Sequence, residues 1–142
     1  MKFYIFVFVL VAFCFFVPSQ SFGQSQKIRK AYEEFNAGHY KSASDMLKRA
    51  YSSAKGKEEQ AEVQFKIGEC HRMLSEPALA EQWYKKAMNK GFPDPVVHLH
   101  MGEVKKMMRK YEEAIEEFKN FKEKSSGDRR GDDGISACNF AI

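Results

Sequence analysis

The chain has 142 residues, 44% of them hydrophobic and 30% charged, with a formal net charge of +4. That is room for one domain. Both signs of charge are interspersed, and short pairs such as Lys105-Lys106 and Arg129-Arg130 form no block of the kind that tracks a nucleic-acid backbone. Three cysteines are too few for a scaffold stapled by disulfides.

Met1-Lys2 opens the chain with a positive charge, and the run from Phe3 to Val17 is apolar and uncharged. Polar and small residues follow, with Ser21 and Gly23 at alternate positions, as on the exit side of a signal-peptidase cut. The pattern predicts a signal peptide over 1–23, cleaved near Gly23. The mature chain then begins at Gln24 and is exported, to the periplasm or the outer membrane. Retained as an anchor, the run would be short against the roughly 20 residues of a spanning helix. Cys14 lies inside the run and not after it, which argues against a lipoprotein signal. Cys70 and Cys138 remain after processing. Export permits a bridge between them, but they fall on separate predicted helices far apart in the chain, so free thiols are expected.

The remainder repeats itself. Gly68 and Gly102, Ala80 and Ala114, and Tyr84 and Phe118 share one interval, a period of about 34 residues. An earlier copy, set slightly further back, holds Ala31, Gly38, Tyr40, Ala43, Leu47 and Ala50 at matching internal spacing. Its extra residues fall in a connector from Ser52 to Glu59. Each copy predicts two helices. Val97, Met101, Val104 and Met108 mark one face of the first, and Tyr111, Ala114, Ile115, Phe118 and Phe121 mark the second. Asp94-Pro95 is an N-cap followed by proline, Gly91 is a stop, and Ser75-Glu76-Pro77 and Gly38 mark the turns inside two pairs. The small residues let helix axes approach, and aromatics fill the space between pairs. The expected fold is all-α: a solenoid of three helix-turn-helix repeats over about 27–55, 60–92 and 94–125, with a partial capping helix over about 132–142.

Gly68, Ala80, Tyr84 and Ala87, repeated as Gly102, Ala114 and Phe118, resemble the signature of the tetratricopeptide repeat (TPR). Phe121 stands where the repeat has a small residue, which implies looser or terminal stacking there. A narrower resemblance is carried by Lys66-Ile67-Gly68-Glu69-Cys70-His71-Arg72-Met73, by Ala80 to Ala87, and by Lys110-Tyr111-Glu112-Glu113-Ala114. These strings are similar to the N-terminal TPR regions of OmpA-family envelope proteins of bacteria that use type IX secretion and gliding. That likeness implies partners among envelope or secretion-system components. It also implies, as an alternative, a longer parent anchored to peptidoglycan, of which this chain, ending inside an apolar helix at Ile142, would be the front.

No residue set predicts an enzyme. Cys70 and His71 are adjacent, hence about 100° apart on a helix, and cannot share a nucleophile–base hydrogen bond. His98 and His100 are likewise roughly 200° apart and predict no metal site. Glu112, Glu113, Glu116 and Glu117 predict a solvated face. No cofactor, nucleic acid or small-molecule substrate is implied.

The resemblance implies a concave groove lined by the first helix of each pair. Its lining positions fall on Ile28, Tyr32, Phe35 and Asn36, then Glu62, Phe65, Glu69, Arg72 and Met73, then Val96, Leu99, Glu103, Lys106 and Met107. The Lys and Asn with which some TPRs clamp a C-terminal carboxylate are replaced by Ile28 and Tyr32. The expected function is a non-catalytic scaffold of the bacterial envelope that holds a partner protein in this groove. The alternative from another class is a membrane-held accessory subunit of an enzyme.

Overall fold

A computed structural model describes residues 25–142; the predicted signal peptide and its cleavage point lie outside the described residues. Seven α-helices follow one another there: α1 (Gln26–Asn36), α2 (Tyr40–Ala50), α3 (Gly56–Met73), α4 (Pro77–Lys90), α5 (Val96–Met107), α6 (Tyr111–Lys124) and α7 (Arg130–Ala141). They form three antiparallel pairs, α1/α2, α3/α4 and α5/α6, with α7 laid on α6 and α5. The stretch expected to be all connector is a single 3-10 turn, Tyr51–Ser53, followed by an extra turn at the start of α3.

The turn inside each pair has one geometry. Gly38, Ser75 and Arg109 take left-handed φ values of 82°, 57° and 61°. At each, the next amide reaches back to a carbonyl near the helix end: His39 to Glu34 at 3.0 Å, Glu76 to His71 at 2.9 Å, and Lys110 to Lys105 at 2.9 Å. This is the Schellman closure, which satisfies carbonyls that a helix end leaves open. Only the first copy uses glycine, the residue that adopts this backbone without strain. Gly91 closes α4 the same way at φ 91°. Asp94 Oδ1 accepts the Val96 amide at 2.9 Å across Pro95, the residue at the N-terminal boundary of α5.

Three apolar clusters run along the axis. The first joins Ile28, Ala31, Leu47, Val63, Ile67 and Cys70 from the first two pairs. Next comes Tyr84 with Ala80, Val97, Met101 and Val104, and then Phe118 and Phe121 with Leu99, Ala114 and Cys138. The small residues do what their spacing predicts: a Cβ on Gly68 would stand 2.6 Å from the Tyr84 ring, and one on Gly102 2.6 Å from Phe118. Cys70 and Cys138 are buried free thiols in different clusters, and burial pushes both pKa values up, Cys70 to about 12.

Stacking at Phe121 is not loose. Phe121 is 2% exposed, because Gly131 and Gly134 let α7 press against α6. A Cβ on Gly134 would meet the Phe118 ring at 2.7 Å. Glu117 departs from the solvated face predicted for the α6 carboxylates. It is half-buried, 2.8 Å from His98 Nδ1, and shares the buried Lys105 with Glu113.

Candidate functional site: the concave groove

The first helices α1, α3 and α5 stand side by side, each held against its second helix by the glycine or alanine at its middle. This places the predicted lining residues along one surface, but they are not equally available. Asn36 is exposed, whereas Tyr32 and Phe35 are half-buried against the first cluster. Lys66 Nζ lies 4.4 Å from the centre of the Phe35 ring and 5.6 Å from that of Tyr32. Burial, with Glu62 and Glu59 nearby, raises the Tyr32 pKa. Ile28, a groove position by register, is wholly buried.

In the middle of the surface, the network around Glu69 gathers side chains from α3, α4 and α5. Its carboxylate accepts from Arg72 Nη2 at 2.9 Å, from His100 Nδ1 at 2.7 Å, and from the Tyr84 hydroxyl. Because a carboxylate only accepts, His100 carries its proton on Nδ1. Arg72 Nη1 reaches Glu103 Oε2 at 3.1 Å, so one guanidinium joins the carboxylates of two neighbouring repeats. Burial pushes the Glu69 pKa up. The hydrogen bonds from His100, Arg72 and Tyr84 outweigh it and hold the carboxyl at about 2. Burial likewise raises the Tyr84 pKa, helped by the Glu69 charge beside it. Phe65 completes the group, stacked on Phe92 at 4.3 Å and on His100 at 5.9 Å.

The third repeat presents Leu99, Glu103 and Lys106 to the same surface. Leu99 is 3% exposed and belongs to the third cluster. With Phe118 and with Arg130, Asp133 and Gly134 of α7, these three residues line an open recess of about 240 Å³. Met73 and Met107, equivalent positions of successive repeats, are 45% and 46% exposed. The α7 residues were not among the predicted lining set. A signal for them existed, since Arg130 and Asp133 stand one full repeat period after Val96 and Leu99. His71 turns away from Cys70: its Nδ1 donates to Glu76 at 2.6 Å, and its Nε2 faces Lys48 Nζ at 3.2 Å.

Helical pairs, small-residue contacts and a cap of this kind define a TPR-type solenoid, and comparison with solved structures gives the same fold. The chain is similar to the second TPR domain of human RPAP3, solved with an HSP70 peptide, at TM-score 0.71 and 15% identity over 80% of this chain and 92% of that one. It is similar to the TPR domain of Arabidopsis OM64 at TM-score 0.73 and 16% identity, over 82% and 93% of the two chains. It also resembles the Yersinia enterocolitica type III secretion chaperone SycD in complex with a peptide of the translocator YopD, at TM-score 0.71 and 14% identity over 82% and 92%. No family model matches the sequence, and no curated protein is significantly similar to it.

Proposed function

We propose that this chain is a non-catalytic adaptor, exported to the bacterial cell envelope, that holds an extended or helical segment of a partner protein in its concave groove. The observation that carries the reading is the pairing of Met73 and Met107. These are adaptable apolar side chains, left nearly half exposed at the same position of two repeats, beside the polar groups of Arg72, Glu103 and Lys106. Support comes from the solved relatives of the fold, of which RPAP3 and SycD are described with bound peptides. The buried Ile28 and half-buried Tyr32 argue against capture of a free C-terminal carboxylate in the first repeat. Export rests on the sequence of Met1 to Gly23, and an envelope partner on the OmpA-family resemblance.

Photo-crosslinking in cells tests the groove. A benzophenone side chain at Met73 or Met107 is expected to capture a partner that the same group at Lys119, exposed on α6, does not. Lys106→Glu should abolish the adduct. Equal adducts from both faces would overturn the reading. N-terminal sequencing of the processed chain should begin at Gln24, and a start at Met1 would sink the export proposal.

A further inference from the structure

The repeat supplies its own template for what the α5/α6/α7 recess binds. Around Glu69, the space between a first helix and the next is filled by the Tyr84 hydroxyl and the imidazole of His100, both donating to the carboxylate. Advance by one repeat period and Glu69 becomes Glu103, Tyr84 becomes Phe118, and His100 becomes Gly134. The acceptor stays, while the hydroxyl and the ring are both absent. What remains is the recess, floored by Leu99 and Phe118, with Glu103 on its wall and Lys106 and Arg130 at its rim.

We propose that this recess is a subsite of the groove for a tyrosine side chain of the bound segment. The phenol ring occupies the place that His100 takes in the preceding repeat, and its hydroxyl donates to Glu103. The two missing groups, a hydroxyl and a ring, select tyrosine over histidine. Arg130 is already paired with Asp128, at 2.6 Å, and Lys106 makes no ion pair among the described residues. Lys106 and Arg130 are offset by Glu103 and Asp133 of the same lining, so charge leaves the choice to the missing groups: a phenol carries both a ring and a hydroxyl, and it meets Lys106 with the face of its ring. The volume, about 240 Å³ and open to the groove, admits one aromatic ring without moving α7. The assignment rests on the adaptor reading for its biological meaning, but its chemistry is tested without any partner.

The experiment is a backbone-amide NMR titration of the purified chain with p-cresol, toluene and 4-methylimidazole as side-chain probes. Fragments of this size bind in the millimolar range at best. p-Cresol is expected to give saturable shifts confined to Leu99, Glu103, Lys106 and Gly134, with toluene and 4-methylimidazole each at least about fivefold weaker. Glu103→Gln should weaken p-cresol severalfold and leave toluene unchanged. Asp133→Trp, an exposed substitution that puts a ring over the recess from within, should abolish p-cresol binding while leaving the unfolding temperature in place. Toluene or 4-methylimidazole binding as well as p-cresol would overturn the subsite, as would p-cresol shifts elsewhere or none at all. In that case crosslinking at Met107 could still succeed, and the adaptor reading would stand alone. Saturable p-cresol binding without groove adducts would be the converse result.

Discussion

Between the second and third pairs, a first helix meets its neighbour through Glu69, to which Arg72, Tyr84 and His100 all hydrogen-bond. Between the third pair and α7, the equivalent positions hold Glu103, Lys106, Phe118 and Gly134, and the contact is apolar with an opening beside it. The same helical geometry is thus closed by two kinds of chemistry. The polar junction spends its buried groups on one another. The apolar junction is held by glycines against an aromatic ring, and it keeps an acceptor and a cation at the edge of unfilled space. Repeats of one fold can divide the work between stability and recognition by exchanging a few side chains at fixed register.

Charge reversal should separate the two junctions most widely. Arg72→Glu would set a third carboxylate between Glu69 and Glu103, and a loss of about 3–5 kcal/mol is expected in urea unfolding, as for a broken buried pair. Lys106→Glu, one repeat on, should change stability by no more than about 0.5 kcal/mol. Equal losses would remove the distinction. Lys106→Glu is for the same reason the cleaner variant for testing the groove.

Of the two junctions compared, acid should act chiefly on the polar one. Folding lowers the Glu69 pKa from an ordinary 4.5 to about 2. Its stabilisation is therefore complete above the unfolded value and drains as pH falls through the window between them. About 2 kcal/mol of this share should be lost between about pH 5.5 and about pH 3, and Glu69→Gln should flatten the pH profile by that amount. A variant with the wild-type slope would place the titrating group elsewhere.

The smallest effects should come from exchanging one hydroxyl. Tyr84→Phe leaves a buried acceptor short of a donor and should cost about 1–2 kcal/mol. Phe118→Tyr extends a hydroxyl into the recess beside Glu103 and should be neutral within about 0.5 kcal/mol, while weakening p-cresol binding. Thermal unfolding of the two single variants and the double variant reads both.

The repeat was legible because small and aromatic residues meet within one pair: Gly68 with Tyr84 and Gly102 with Phe118, each at a spacing the sequence displays. Gly91, Pro77 and Asp94 announce helix ends for local reasons, and the helices end there. The turns at Ser75-Glu76-Pro77 and Arg109-Lys110 were legible in place, but the left-handed backbone of Ser75 and Arg109 was not, since pair packing imposes on them a conformation that their own residue types do not favour. Nor was the Glu69 network. His100 and Glu103 belong to the following repeat, and they meet Glu69 and Arg72 only once α5 has stacked on α3. Phe121 misled for a related reason: whether an aromatic at that position is loose depends on how closely α7 can approach, and Gly131 and Gly134 set that distance.

Arg72 ties α3 to α5 across the interior of the curve, and His100 ties α5 back to α3. In a stack where each pair touches only its neighbours, the bend of the whole array is the sum of its joints. One joint here is clamped by hydrogen bonds to a single carboxylate, whereas the next is closed by glycines pressed against an aromatic ring and by the Lys122–Asp132 ion pair. The bend of the groove is consequently set by two unlike joints, one polar and one built on glycine and an aromatic ring, and a substitution at either should change the angle at that joint alone.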